Sequence, residues 1–250
     1  MGTSTRSAPG RAAPRPRSPT EGPPLGSPLL LVNFKAYPEA LGRGAHRLAA
    51  LVERLSRAAG VPAAICPSAS DLAAVAQWTG IPVLAQHTDP NPPGAHTGRL
   101  VAEALRAAGS RGSLVNHSER PLSGEEVGRV VRRLEEVDLV PVVCARDLPE
   151  AWRLASLRPA YLAIEPPELI GGDVSVSEAR PALIEEVVDA VREISPASSV
   201  LVGAGVHRSE DVAAALRLGA QGVLVASAVA RSSEPERALR ELLKGFSTDR

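Results

Sequence analysis

The feature that most constrains this chain is a repeated alternation. Short apolar runs and amphipathic stretches follow one another eight times between residue 28 and the C-terminal region. The runs lie near 29–34, 62–66, 82–86, 113–116, 139–144, 160–164, 199–203 and 221–225. Helix patterns follow them near 43–59, 69–78, 98–108, 124–137, 147–157, 178–194, 209–217 and 234–245. Strands that are apolar almost throughout are covered on both faces, which is the condition of a parallel sheet. Eight strand–helix units in about 220 residues match the count that closes an α/β (β/α)8 barrel. An open doubly-wound sheet is the alternative. The one dinucleotide-like loop, GAGVHR at 203–208, lacks the third glycine and follows the seventh strand rather than the first. The closed parallel sheet is therefore the expected fold. Ser68, Ser123, Ser177 and Ser209 stand where helix N-caps are expected. Pro62, Pro82 and Pro141 fall near strand starts, where a missing N–H is tolerated.

Residues 1–27 stand apart, with six prolines and four arginines among small polar residues. So little apolar content predicts a disordered tail, leaving residues 28–250 as a single barrel domain. Basic and acidic residues number 28 each. That balance gives no electrostatic reason to expect a nucleic-acid or membrane partner. No apolar run approaches a membrane span, and the N-terminus lacks a secretory apolar core, so a cytoplasmic protein is expected. Cys66 and Cys144 each end an apolar run and read as buried thiols rather than a disulfide.

Barrel chemistry sits at the C-terminal ends of strands. Those ends read Asn33-Phe34-Lys35 after the first strand and Asn116-His117-Ser118-Glu119 after the fourth. Glu165 follows the sixth, Gly203-Ala204-Gly205 the seventh, and Ala226-Ser227 the eighth. A lone lysine reads as a surface charge, and a lone histidine as a structural one. Their convergence on one rim is what makes them a candidate site. The loops after strands seven and eight are where barrels commonly bind phosphate through backbone N–H groups. Gly205 permits close approach of an anion, and Ser227 adds an N–H and a hydroxyl. A carboxylate base, a cationic lysine and an imidazole aimed at one oxygen suit proton abstraction next to a carbonyl.

The stretch YLAIEPPELIGG, 161–172, supplies the base and a possible lid. An acid ending a buried strand is costly unless it has a task or a partner. Pro166 and Pro167 stiffen the exit, Ile170 forms an apolar tip, and Gly171-Gly172 gives a flexible hinge. The plain alternative is a surface turn with an exposed glutamate.

With these motifs in view, the chain resembles the triosephosphate isomerase family of the archaeal, short-helix type from about residue 29 to 246. The motifs are N-F-K-A-Y (33–37), Q-H-T-D (86–89), G-A-H-T-G (94–98), N-H-S-E (116–119), E-P-P-E-L-I-G (165–171), G-A-G-V (203–206) and G-V-L-V-A-S (222–227). The resemblance implies that Glu165 shuttles a proton between C1 and C2 of a triose phosphate. It implies that His117 is the neutral electrophile, a family that serves as the reference case for such tuning. Lys35, with Asn33 beside it, draws in the phosphate and steadies the oxyanion, and Glu119 pairs with Lys35. Ile170, Gly205, Ala226 and Ser227 are the implied phosphate-side contacts. The resemblance calls for no metal or organic cofactor. Thr97, in the 94–98 loop, resembles a residue that reaches into a neighbouring subunit, which implies a homo-oligomer, either dimer or tetramer. Two places depart from the family pattern: the hinge, where the usual I-G-T-G reads Ile170-Gly171-Gly172-Asp173 and so gains a charge at Asp173, and Ala228 after Ser227, where Gly is usual. They leave room for an isomerase of another short phosphosugar. A non-catalytic phosphometabolite-binding barrel is the reading of another class.

His87, Asp89 and His96 could be drawn as a metal cluster, but an interface loop of polar residues is preferred. Cys66 and Cys144 lack a neighbouring base in sequence and read as small core residues. His207 is expected to decorate the rim, and Trp78 and Trp152 to pack helices onto the barrel.

Overall fold

The structure, a computed structural model, describes residues 24–170, 172 and 175–247. Eight parallel strands form one sheet: β1 (Leu29–Asn33), β2 (Ala63–Cys66), β3 (Leu84–Ala85), β4 (Gly112–Val115), β5 (Val140–Ala145), β6 (Tyr161–Ile164), β7 (Ser199–Val202) and β8 (Gly222–Val225). Their order is β2-β1-β8-β7-β6-β5-β4-β3. The remaining seam between β2 and β3 is closed by a parallel bridge, Ile65 to Val83, and by the Ile65 N–H donating to the Pro82 carbonyl at 3.1 Å. The sheet is thus a barrel.

The strands alternate between two packed clusters with period two. Leu29 and Leu31, Ala64 and Cys66, Tyr161 and Ala163 fall in the smaller cluster that fills the interior. Leu30 and Val32, Ile65, Leu162 and Ile164 fall in the larger cluster beneath the helices. Continued one step further, the inward series reaches Asn33 on β1 and Glu165 after β6. The alternation therefore aims both side chains at the mouth of the barrel.

The opposite mouth is closed by residues expected within the tail. Leu25 is buried, and its N–H donates to the Tyr161 hydroxyl at 2.9 Å. That hydroxyl donates in turn to the Gly26 carbonyl at 3.1 Å. Residues 1–23, on which most of the tail expectation falls, lie outside the described residues.

The helical layer comprises α1 (Arg43–Ala59), α2 (Leu72–Trp78), α3 (Ala102–Ala107), α4 (Gly124–Glu136), α5 (Leu148–Ala155), α6 (Val176–Ala179), α7 (Pro181–Ile194), α8 (Ser209–Arg217), α9 (Ser227–Ala230) and α10 (Pro235–Lys244). Ser123 caps α4 in a reciprocal box: its hydroxyl accepts the Glu126 N–H, and the Glu126 carboxylate accepts the Ser123 N–H. Other starts differ from expectation. The helix read as 178–194 is two helices, because Pro181 has no N–H to continue the first and opens the second. Its cap is Ser175, not Ser177. The second helix begins at Leu72, and the Ser68 hydroxyl pairs with Ser70 instead of capping it. The seventh-unit helix begins on Ser209, but the cap work is done by Asp211, whose carboxylate accepts the N–H groups of His207 and Arg208. The helix read as 98–108 begins at Ala102, since residue 100 is tied to Asp89 through both backbone groups. Trp78 and Trp152 are not helix–barrel packing residues: they are 81% and 58% exposed. α2 buries Leu72 and Val75 and ends just beyond them, while α5 turns Ala151, Leu154 and Ala155 inward and Trp152 away.

Candidate active site

A narrow cleft opens at the C-terminal mouth of the barrel. Asn33, Lys35, His117, Glu165, Ile170, Gly205, Ala226 and Ser227 all line it. The C-terminal ends of β1, β4, β6, β7 and β8, with the loops that follow them, thus deliver the expected groups to one cavity. Thr97 is not among them; it lies exposed on the 94–98 loop. Glu119 stands at the edge, with its carboxylate 2.7 Å from the Lys35 amino group. Asp173 and Gly171 lie outside the described residues.

Lys35 has a positive φ of 50°, held by its own N–H donating to Asn33 Oδ1 at 2.9 Å. From β3, the Gln86 side-chain amide donates to the carbonyls of Lys35 and Cys66, both at 2.9 Å. Two amide side chains therefore fix the backbone that carries the ammonium. The Lys35 side chain is 10% exposed, which concentrates its charge on the cleft and on Glu119.

His117 follows β4. Its Nδ1 accepts the backbone N–H of Glu119 at 3.2 Å. An accepting nitrogen holds a lone pair, so the ring proton sits on Nε2. That nitrogen lies 3.8 Å from Glu165 Oε1, a gap that leaves room for a ligand oxygen to approach the donor. The nearer Glu119 carboxylate oxygen is 4.0 Å from Nδ1, outside hydrogen-bonding reach. His117 is thus oriented as a neutral donor.

Glu165 is buried, and its Oε2 has no hydrogen-bond partner among the described residues. Burial pushes its carboxyl above the usual range; the nearby His117, the Cys144 thiol and Lys35 pull it back without cancelling the rise. A desolvated carboxylate with one unpartnered oxygen beside a cleft has the chemistry of a candidate general base. Space for it comes from β7. A Cβ on Gly203 would lie 2.4 Å from Glu165 Cγ and 2.8 Å from Oε1, so only glycine fits there. In the sequence Gly203 stands out only as the start of the G-A-G-V strand end, with nothing to tie it to Glu165.

The end of the cleft expected to take an anion is formed by the loop after β7 and by α9. Gly205 has φ +67°, which favours glycine, and the first N–H groups of α9 have no partner within so short a helix. His207 also lines this end and is more than rim decoration. Its Nε2 hydrogen-bonds the Gly172 carbonyl at 2.8 Å and so links the loops after β6 and β7. Nothing in the sequence beside His207 marks that link, because its partner is a backbone carbonyl 35 residues away.

The weaker candidates resolve differently. Asp89 accepts hydrogen bonds from the Leu100 N–H, Arg99 and His87; burial would raise its carboxyl, but these bonds hold it below the usual range. Among the described residues no group of His, Cys, Asp and Glu is placed to hold a metal ion. Cys66 and Cys144 are buried free thiols in the interior cluster, and burial, with the charge of Glu165, pushes both upward.

The triosephosphate isomerase family profile matches residues 28–244. The chain belongs to the triosephosphate isomerase family. It is 46% identical over 219 residues to the triosephosphate isomerase of Methanoculleus marisnigri, covering 88% of this chain and 99% of that one. It is 41% identical to that of Methanothermus fervidus over 86% of this chain and 97% of the relative. The Methanocaldococcus jannaschii enzyme is 40% identical over 86% and 99%. As a member of the triosephosphate isomerase family the chain is an isomerase, and triose-phosphate interconversion is its reaction.

Proposed function

We propose that Glu165 is the base that carries a proton between C1 and C2 of dihydroxyacetone phosphate and D-glyceraldehyde 3-phosphate. His117 donates through Nε2–H to the substrate carbonyl, and the Lys35 ammonium, steadied by Asn33, stabilises the developing oxyanion. The phosphate sits on backbone N–H groups around Gly205, Ala226 and Ser227, with Ile170 closing over it. Burial makes Glu165 a stronger base than a solvated carboxylate and strengthens each electrostatic contact in the cleft. The single observation that carries this reading is the 3.8 Å separation of Glu165 Oε1 and His117 Nε2 across the cleft that Lys35 also lines.

Turnover of glyceraldehyde 3-phosphate in a coupled assay tests it. Glu165→Gln is expected to lower kcat by about 10³-fold, since it can take no proton, with KM little changed. Undiminished kcat in that variant would remove Glu165 from the role. Ala228 lines the anion end where the family usually has glycine, so kcat/KM on triose, tetrulose and pentulose phosphates measures how far its methyl group narrows the substrate range. The exposed 94–98 loop, with Thr97, supports a homo-oligomer, checked by light scattering of the purified chain. Among the described residues no helix is long and apolar enough to cross a membrane, which is compatible with a cytoplasmic enzyme.

A further inference from the structure

We propose that Asn116 and Glu150 form a positioning pair that turns His117 into the active site; the inference rests on the role assigned to His117 above. Along β4 the interior cluster takes Leu114 and the outer cluster takes Val115. Unbroken alternation would send residue 116 into the barrel and residue 117 away from it. The structure has the reverse. Asn116 adopts φ +62°, its side chain reaches the helical layer, and His117 lines the cleft. One left-handed residue changes the order of the two side chains.

Asparagine is among the few non-glycine residues that tolerate this backbone, and here the side chain also holds it in place. Its Nδ2 donates to the Cys144 carbonyl at 3.0 Å and to Glu150 Oε1 at 3.4 Å. Its Oδ1 accepts the Leu122 N–H at 2.9 Å. Both polar atoms of the amide are thereby bonded, in a buried side chain. Glycine would satisfy φ and lose every one of these bonds.

Glu150 is buried at the first turn of α5 and anchors the arrangement. Besides Asn116, its carboxylate accepts the Arg146 N–H at 3.0 Å and an Arg153 N–H at 3.2 Å. Three donors from three directions require an acceptor-only group; a glutamine would turn its own NH₂ against one of them. The pair thus joins the exit of β4, the last turns of β5 and the start of α5. Cys144 takes part at both ends, since its carbonyl holds Asn116 while its thiol faces Glu165. Neither Asn116 nor Glu150 lines the cleft, so both act through His117 rather than on substrate.

Three single variants of the full chain test this: Glu150→Gln, Asn116→Asp and Asn116→Gly, the last keeping the backbone conformation accessible. Each is expected to lower kcat on glyceraldehyde 3-phosphate by about 10- to 100-fold, as for a misaimed catalytic group, with KM within about twofold. The imidazole N–H resonance assigned by its loss in His117→Gln is expected to shift or broaden in all three. A purely structural role would lower the melting temperature while leaving that resonance and kcat in place, and that result in Asn116→Gly and Glu150→Gln overturns the proposal. If His117→Gln itself turns over normally, the assignment of His117 has failed. If it is inactive while the pair variants are fully active, only the positioning inference has failed.

Discussion

Glu165 is held where an ionised carboxylate is least stable, and the two consequences are separable. Its raised folded-state value comes chiefly from burial, only partly offset by His117, Cys144 and Lys35. Below the ordinary carboxylate value of 4.5 the side chain is protonated folded or unfolded, and no penalty arises. Above 4.5 the unfolded chain ionises in water, while the folded chain keeps its proton until the pH reaches the raised folded value, so the loss of stability falls between the two values. Stability is therefore lost with rising pH. Glu165→Gln is expected to melt higher than the parent at pH 7–8 and equally at pH 4, as read by thermal unfolding at the two pH values. A parent that is the more stable at pH 8 would show that the surrounding charges outweigh burial. At Gly203, any side chain must displace that carboxylate. Gly203→Ala is expected to lower kcat by about 100-fold through misplacement of the base, with the fold retained by circular dichroism.

At the level of elements, what was legible followed from local chemistry. The capping signal S-x-x-E at Ser123 and Glu126 reads directly as a helix start, because both hydrogen bonds are made within three residues. Ser123→Ala is expected to lower stability by about 1 kcal/mol, a few degrees in melting temperature, without change in turnover. The break at Pro181 is equally local, but the apolar periodicity continues on either side of it and masks it. The late start of α3 was not legible, since Asp89 withholds residue 100 from the helix through contacts that only the fold creates. The same holds at the site. Strand ends indicated Asn33, Lys35, His117 and Glu165, because period-two alternation and barrel topology place such residues without further information. Gln86, Gly203 and His207 act through distant backbone or side-chain atoms, and no spacing in the sequence records those distances.

The whole molecule divides its labour between two mouths of one barrel. At the C-terminal mouth the interior series ends in groups that are poorly solvated, left-handed or unpartnered: Asn33, Lys35, Glu165 and the glycine that admits it. At the other mouth the Tyr161 phenol is bonded on both sides, to the Leu25 N–H and the Gly26 carbonyl, with Leu25 as an apolar plug. Reactivity needs the first condition and stability needs the second, so the barrel separates residues whose loss affects turnover from residues whose loss affects folding. Tyr161→Phe tests the separation. It keeps the ring in the interior cluster and leaves the Leu25 N–H and Gly26 carbonyl without the hydroxyl, which costs about 1–3 kcal/mol for such buried groups. For a chain of this size each kcal/mol corresponds to roughly 2–4 °C. The variant is expected to melt lower by that measure while kcat and KM stay at parental values. Loss of turnover at a temperature where the variant is fully folded would mean that the floor of the barrel communicates with Glu165 through Ala163 and the rest of β6, and that the two mouths are mechanically one unit.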